Sequence, residues 1–165
     1  MNPAGNGSQQ MLTFVLGAES YGVDILRVQE IRGWSNVTRL PHTPAHVLGV
    51  LNLRGSIVPI VDLRLRFALA GADYTALTVI IVVAVEAGGI RRDVGVVVDG
   101  VSDVIDVAAA DVRPTPDIGN RAGSSFFTGL TTLGDKMVAL VDIDRLMGDD
   151  LNGGTTCARA QANAA

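Results

Sequence analysis

Apolar residues along this chain come in short runs rich in valine and isoleucine, and glycine, proline, asparagine or aspartate interrupts them about every 8–12 residues. Branched side chains of this kind favour β-strands, because they pack well on a pleated surface. The clearest predicted strands cover residues 11–16, 21–25, 47–53, 56–63, 77–85, 93–98 and 136–141. Many short strands of this spacing indicate a sandwich or a barrel, and we predict an all-β barrel architecture.

Few segments have the signals of a helix. Residues 44–48 start at a proline, which is tolerated in the first turn, and they predict one short helical turn. Residues 142–147 predict a terminal helix with Asp142 as its N-cap. Pro59 lies inside a strand-like run and predicts an edge or a bulge at that point, because proline cannot donate to a ladder.

The segment 25–31 fits two structures. As a strand, it places Leu26, Val28 and Glu30 on one face; as a helix, it aligns Val28 with Arg32. We favour the strand, because an apolar row that ends in a carboxylate is typical of the lip of a groove.

Length and composition suit one compact domain or two small lobes that share a core, with 165 residues of which 48% are apolar and 18% charged. Residues 1–10 and 149–165 lack apolar periodicity and predict flexible tails around a domain at 11–148. The 17 acidic and 13 basic side chains give a net charge of −4. This charge argues against a dedicated nucleic-acid binder, which needs basic patches to neutralise phosphates.

The sequence predicts a soluble, cytoplasmic protein. A lone cysteine, Cys157, excludes an intramolecular disulfide and fits a reducing compartment. The first ten residues lack the basic-then-apolar pattern of an export signal. The most apolar window, 76–85, has ten residues, whereas a helix that spans a bilayer needs about twenty.

Reactive groups do not converge into a recognisable catalytic pattern. His42 and His46 are separated by Pro44 and lack further metal ligands, so we interpret them as surface residues near a turn. Ser124 and Ser125 lack the G-x-S-x-G context of a hydrolase nucleophile. We therefore predict no enzymatic activity, no cofactor and no metal.

Two near-motifs are also interpreted as turns. Residues 129–134 have the glycine spacing of a phosphate loop, but Asp135 stands where the lysine is needed, and a carboxylate there repels phosphate. Four aspartates resemble a cluster but are typical of hairpin turns and strand ends: Asp99, Asp103, Asp106 and Asp111.

The most informative stretch is GVLNLRGSIVPIVDLR at residues 49–64. It resembles the hallmark of the chemotaxis coupling family, CheW. Further segments similar to that family follow in the same order: YGVDILRVQEIRG at 21–33, TPA at 43–45, VGVVVDGVSDV at 94–104, TGL at 128–130 and LGDKM at 133–137. Together they cover about residues 12–148.

The resemblance implies two intertwined five-stranded barrels of the SH3 type, with a short C-terminal helix and a groove between the lobes. It implies an adaptor without catalytic activity that binds the cytoplasmic tips of chemoreceptors (methyl-accepting chemotaxis proteins) and the regulatory domain of the kinase CheA. It also implies contact with other coupling-protein copies in array rings, at membrane-associated receptor arrays, with no direct membrane insertion.

The family pattern assigns receptor contacts to Val28, Glu30, Arg54 and Val79. Without the resemblance, Arg54 would be interpreted as a solvated arginine in a turn. The family match instead implies that Arg54 lies at the groove and that its guanidinium binds a receptor carboxylate or backbone group through two parallel hydrogen bonds. Val28 and Val79 are equally compatible with an ordinary core. Two neighbours of Arg54 are expected to build its turn, Asn52 by tying it together and Gly55 by freeing the backbone.

Kinase contacts are assigned to Arg113 and Ile118. Residues 112–118 contain two prolines, which favour an extended loop that presents both side chains outward. The family commonly has an aromatic where Ile118 stands. Residues 87–92 predict a slightly longer hairpin loop than is usual in the family.

Two other readings stay open. The first is the regulatory domain of a kinase or a coupler–receiver fusion; we disfavour it because 10 residues precede the predicted domain and 17 follow it. The second is a small β-barrel enzyme or ligand-binding protein, which predicts a deep pocket with convergent polar groups. An adaptor instead predicts a shallow apolar surface near Val28 and Arg54.

Overall fold

The computed structural model describes residues 8–67, 74–87, 89–114 and 127–147. Within these ranges the chain forms ten β-strands and two short α-helices, with 3₁₀ turns at Ile25–Arg27 and Ala109–Asp111. The strands are β1 Ser8–Leu16, β2 Glu19–Asp24, β3 Val28–Gly33, β4 Val47–Leu53, β5 Ser56–Asp62, β6 Val79–Ala87, β7 Ile90–Val98, β8 Gly100–Ala108, β9 Phe127–Leu133 and β10 Lys136–Val141. Helix α1 is Leu63–Arg66, and α2 covers 143–147.

The strands form two five-stranded sheets, which we call lobe 1 and lobe 2. Lobe 1 has the order β8-β1-β2-β10-β9, and lobe 2 has the order β3-β6-β7-β5-β4. The chain crosses between the lobes after two of its hairpins. After the β1–β2 hairpin of lobe 1, β3 pairs with β6 of lobe 2; after the β6–β7 hairpin of lobe 2, β8 pairs with β1 of lobe 1. The prediction of two intertwined five-stranded lobes in an all-β fold is confirmed.

The two lobes repeat each other in register. One row across lobe 1 runs Thr13, Gly22, Leu140, Gly129, through three successive strand pairings. The corresponding row across lobe 2 runs Val82, Gly95, Ile60, Gly49. Each residue of one lobe therefore has a counterpart in the other, found by counting along the strands from these rows.

Both lobes close at equivalent places. Thr38 bridges to Val50 in lobe 2, and Arg113 bridges to Leu130 in lobe 1. The residue before each bridge partner is a glycine whose missing Cβ makes room for the crossing chain. A Cβ on Gly49 would collide with the Thr38 carbonyl, and one on Gly129 would lie 2.5 Å from the Val112 side chain.

Within the described ranges, three apolar clusters hold this arrangement together. The largest lies between the lobes and includes Phe14, Tyr21, Val83 and Leu146. A second lies inside lobe 2 around Ile60, and a smaller one lies inside lobe 1 around Leu140. The strand alternation of period two explains this division, because successive side chains point to opposite faces of a sheet.

The predicted strand bounds agree with the structure to different degrees. The predicted strands 47–53 and 136–141 coincide with β4 and β10. Strand β1 begins at Ser8, three residues before the predicted domain start at 11. Strand β8 was not among the predicted strands, since it is a largely exposed edge strand with polar residues at Ser102, Asp103 and Asp106.

Several local predictions are wrong for identifiable reasons. The predicted helical turn at 44–48 is instead a single β-turn, in which the Val47 amide donates to the Pro44 carbonyl at 3.0 Å; no helix follows, because Val47 already begins β4. The glycine-rich stretch 129–134 is mostly strand β9, and only its last residue belongs to the turn. The predicted longer loop at 87–92 is a tight connection, because β6 and β7 pair as far as Ala87 and Ile90.

Helix α2 follows its predicted cap, since the Asp142 carboxylate accepts from the amide of Asp144 at 3.0 Å. Helix α1 was not predicted, although Asp62 accepts from the Arg64 amide in the same way at 2.9 Å. Pro59 lies in a strand that is internal to lobe 2. It has a partner on β4, while pairing with β7 begins only at Ile60, so Pro59 occupies a locally edge-like position.

Candidate functional site

An ion pair joins β3 to the turn between β4 and β5. The guanidinium of Arg54 lies 3.3 Å from a carboxylate oxygen of Glu30, and Arg32 lies 3.6 Å from the other oxygen. The Arg54 side chain is 86% exposed, whereas that of Glu30 is 27% exposed. Arg54 therefore presents most of its surface to solvent while staying beside a partly buried carboxylate.

The backbone around Arg54 is a two-residue hairpin loop. Leu53 pairs with Ser56, and the two residues between them, Arg54 and Gly55, have φ values of 56° and 89°. Two successive positive φ values match the right-handed twist of the strands, and they are less favourable for arginine than for glycine. The Asn52 side chain accepts a hydrogen bond from the Gly55 amide at 2.8 Å, which holds the loop in this shape.

Val28 and Val79 lie at opposite ends of the β3–β6 pairing. Val28 pairs with Val83, and Val79 pairs with Gly33, five residues further along β3. Both side chains are partly buried and pack against the core between the lobes. Along an extended strand, five residues span about 16 Å.

The predicted strand at 25–31 begins only at Val28, after the 3₁₀ turn, and it contains a bulge. Val28 pairs with Val83 but Glu30 pairs with Val82, so Gln29 is the additional residue. Because directly opposed residues share a face, Val28 and Glu30 lie on opposite faces of the sheet. The prediction that they share one face is wrong, since a bulge cannot be read from alternation alone.

Arg113 lies in the other lobe. Its backbone exchanges two hydrogen bonds of 2.8 Å with Leu130, and the residue itself is exposed. Ile118, Ser124 and Ser125 lie outside the described residues. The histidines are at the surface near the turn before β4: His42 is exposed, and His46 is half-buried.

A buried ionic network that sequence reasoning missed centres on Arg64, whose side chain is 2% exposed. Arg64 donates to Asp62 at 3.2 Å and to Asp99 at 2.8 Å. The Tyr74 hydroxyl donates to Asp62 at 2.5 Å, and the Gly17 amide of lobe 1 donates to Asp99 at 2.6 Å. The network thus ties α1 of lobe 2 to the β1–β2 turn of lobe 1.

Burial and the neighbouring carboxylates determine the protonation of this network. Burial raises the pKa of Tyr74 to about 12, and the hydrogen bond to Asp62 acts in the same direction. Burial by itself lowers the pKa of Arg64, but the hydrogen bond to Asp62 and the charges of Asp62 and Asp99 leave it raised. Arg64 therefore stays charged, and Tyr74 stays neutral, at any physiological pH.

A second ion pair lies at the equivalent position in the other lobe, with its charges reversed. Arg27 donates to both oxygens of Asp144 at 2.9 and 2.7 Å and to the Ala84 carbonyl at 3.1 Å. The Glu86 amide donates to Asp144 at 2.8 Å. The hydrogen bond to Asp144 raises the pKa of Arg27, so this pair also stays ionised.

Among residues 8–67, 74–87, 89–114 and 127–147, no group of three or more His, Cys, Asp or Glu side chains could hold a metal ion. In the same part of the chain, no helix has the length and apolar character needed to cross a membrane. The polar contacts described above join elements of the fold to one another.

Comparison with known proteins decides the family. The CheW-like domain matches residues 10–151. The chain belongs to the CheW family. The chemotaxis protein CheW of Klebsiella aerogenes is 49% identical over 142 residues, covering 86% of this chain and 83% of the relative. That of Rhizobium meliloti is 42% identical over 139 residues, covering 84% and 87%.

A solved CheW structure agrees with the fold. The scaffolding protein TtCheW from Thermoanaerobacter tengcongensis matches with a TM-score of 0.75 and 31% identity, covering 84% of this chain and 92% of that one. These relatives support the predicted role as an adaptor of a chemotaxis system. As a CheW-family protein, the chain is not an enzyme.

Proposed function

We propose that this chain couples transmembrane chemoreceptors to the histidine kinase CheA, and that it does so as a scaffold at receptor arrays. Family membership supports the chemotaxis setting, and the arrangement around Arg54 supports the receptor contact. Arg54 combines high exposure with a loop that its own backbone and Asn52 hold in place. An exposed, preorganised guanidinium suits recognition of a partner carboxylate or carbonyl, because little freedom is lost on binding.

The receptor surface that we propose consists of Val28, Glu30, Arg54 and Val79. Since β3 is an edge strand of lobe 2, a receptor segment lying along its edge can contact both faces. This geometry accommodates Val28 and Glu30 in one interface, although they lie on opposite faces. Glu30 would then serve mainly to orient Arg54, and Val28 and Val79 would provide the apolar contact at either end.

The kinase surface that we propose includes Arg113 of lobe 1, together with Ile118, which lies outside the described residues. Separate surfaces on separate lobes suit an adaptor, because both partners can bind at once. Each interface buries about 800 Å² per partner or less, which gives modest affinity. Repetition in an array, with further copies of the coupling protein in the rings, raises the effective concentration and so the overall stability.

The test is the variant Arg54→Glu in a reconstituted assay of receptor-dependent CheA activity. We expect loss of receptor-stimulated kinase activity and of co-sedimentation with receptor signalling fragments, while the thermal unfolding curve stays nearly unchanged. Arg92→Glu is the matched control, since Arg92 is an exposed arginine on β7 outside the proposed surface. Unfolding of the Arg54→Glu variant would instead make Arg54 a structural residue.

The double variant Glu30→Arg with Arg54→Glu separates the two roles of the pair. If Arg54 binds the receptor directly, restoring the ion pair in reverse does not restore kinase stimulation. If the pair only shapes the loop, the double variant recovers activity that either single variant lacks.

A further inference from the structure

An open cavity of about 300 Å³ lies in lobe 1 beside the cap of α2. Its lining includes Met11 and Leu140 as an apolar floor, Asp24 and Asp142 as carboxylates, and Gln9 and Thr128. Gln9 and Thr128 are exposed, so the cavity opens to solvent between them. None of the receptor-contact residues proposed above, nor Arg113, is among the described residues that line it.

The equivalent place in lobe 2 is filled by Tyr74. Counting from the matched rows, the counterparts of Met11, Leu140 and Asp142 are Ile80, Ile60 and Asp62. Tyr74 packs against the cluster that contains Ile60 and Ile80, and its hydroxyl donates to Asp62.

The cation of this site is also different in lobe 1. In lobe 2 the guanidinium of Arg64 lies 5.0 Å from the centre of the Tyr74 ring and donates to Asp62. The counterpart of Arg64 is Asp144, which is occupied by its own pair with Arg27. The cavity lining therefore has three carboxylates, Asp24, Asp142 and Asp144, against the single guanidinium of Arg27.

The hydrogen bonds of these carboxylates leave room for another donor. Asp142 accepts from backbone amides of α2 through Oδ1, and its Oδ2 lies 3.6 Å from Nε of the exposed Arg145. Asp24 accepts from the Leu26 amide and from Gln9. Each carboxylate oxygen offers two acceptor directions, so a planar donor entering the cavity can still be bound.

We propose that this cavity is a docking pocket for an arginine side chain of a partner protein, with Asp142 as the principal acceptor. In lobe 2 the Tyr74 ring covers the apolar floor, and Arg64 donates hydrogen bonds to the carboxylate that caps the helix. The planar guanidinium of one arginine can do both in lobe 1, because it can lie flat on the floor and donate two hydrogen bonds to Asp142. The excess of negative charge selects a cation, and a volume at the small end of the range for binding pockets restricts the occupant to a small group. This inference does not depend on the receptor and kinase roles proposed above.

The test is a titration of the isotopically labelled full-length chain with the blocked tripeptide acetyl-Gly-Arg-Gly-amide, followed by NMR. We expect saturable shifts of the backbone amides at Thr128 and at 142–145. The variant Asp142→Asn keeps the N-cap, because asparagine caps as well as aspartate. Loss of a charge-assisted hydrogen bond should weaken binding about tenfold or more in this variant.

Asp106→Asn is the matched control, since it removes the same charge from an exposed residue on β8 and should leave binding unchanged. Thr128→Phe provides a second variant, in which a ring at the mouth should block the cavity. Equal binding by the parent chain and by either Asp142→Asn or Thr128→Phe would overturn the proposal.

Related peptides test the chemistry of the occupant. The lysine peptide should bind more weakly than the arginine peptide, because a single ammonium lacks the fork. If the same blocked tripeptide with tyrosine in place of arginine bound equally well, the cavity would be recognising apolar surface and not a cation, which would contradict the proposal. Tighter binding of free L-arginine than of the blocked peptide would make it a small-molecule site and would also contradict docking of a partner.

Discussion

Arg27 and Asp144 form a forked ion pair that mirrors the pair of Asp99 and Arg64 with the charges exchanged. In one pair the arginine belongs to the crossover from β2 to β3 and the carboxylate to α2; in the other the carboxylate follows β7 and the arginine belongs to α1. Both carboxylates also accept a backbone amide at the end of the first strand of the neighbouring hairpin. Each crossover between lobes is thus held by an ion pair together with hydrogen bonds to the backbone of the neighbouring hairpin.

Arg27→Ala should lower the free energy of unfolding by about 1–2 kcal/mol, because a partly exposed forked pair and a bond to the Ala84 carbonyl are lost. Urea denaturation measures the change. Arg27→Lys should recover only part of it, since an ammonium cannot engage both oxygens of Asp144 and the Ala84 carbonyl with the same geometry. An unchanged midpoint for Arg27→Ala would show that the pair contributes no stability.

Arg64→Ala should lower the free energy of unfolding by about 3–5 kcal/mol, because it leaves the buried carboxylate of Asp62 without its cation. The same measurement applies, with Arg92→Ala as the exposed control. A double replacement of Asp62 and Arg64 by apolar residues should cost less than Arg64→Ala alone, because no unpaired charge stays in the core. Additive losses would contradict this coupling.

Tyr74 makes the stability of the fold sensitive to alkaline pH. Its folded pKa of about 12 exceeds the ordinary value of 10.0, so between these values the folded chain keeps a proton that the unfolded chain loses. The stabilising contribution is complete below pH 10.0 and falls as the pH rises toward 12. Tyr74→Phe should lose stability near neutral pH and show a shallower decline in this window.

Ultraviolet absorbance of tyrosinate checks the assignment, because Tyr21 and Tyr74 are the two tyrosines of the chain. Burial raises the pKa of Tyr21 as well, so both are expected to titrate late. The difference between the parent chain and Tyr74→Phe isolates Tyr74. A titration of Tyr74 at its ordinary pKa would contradict the burial of its hydroxyl and the hydrogen bond to Asp62.

Replacing Gly49 or Gly129, the glycines at the two bridges that close the lobes, by alanine should destabilise the fold. Gly129→Ala brings a Cβ to 2.5 Å from the Val112 side chain and 2.9 Å from the Arg113 carbonyl, for which about 1–3 kcal/mol is expected. Gly49→Ala should cost more, because its φ of 147° is also unfavourable for alanine. Gly33→Ala is the control, since nothing lies within 4 Å of the added atom.

The local chemistry of the strands and turns was readable from residue order. Residues 47–53 become a strand because branched apolar residues dominate, and Arg54-Gly55 becomes a turn because glycine accepts a positive φ. Asp142 caps a helix because its carboxylate bonds to amides only two and three residues ahead. Each of these features depends on neighbours in the chain.

For the proposed receptor-contact residues, the sequence did not predict how the side chains are placed relative to one another. The motif at 49–64 singled out Arg54, but its proximity to Glu30 depends on how β3 and the β4–β5 turn meet across lobe 2. The bulge at Gln29 arises from pairing with β6, about fifty positions away, and it reverses the face of Glu30 relative to Val28. The roles in receptor and kinase binding stay predictions.

The sequence by itself determined the β-rich class, the main turns and the family, because these follow from side-chain type and short-range spacing. Which strands pair in which lobe, the burial of Arg64 and the open cavity beside Asp142 were decided by the tertiary structure alone. The Asp-Leu-Arg of one repeat and the Asp-Ile-Asp of the other differ by a single reversal of charge. In the folded chain Asp99 pairs with Arg64, and Arg27 pairs with Asp144. The reversal of charge therefore matters only in the tertiary structure, because the energy of an ion pair depends on distance in space and not on distance along the chain.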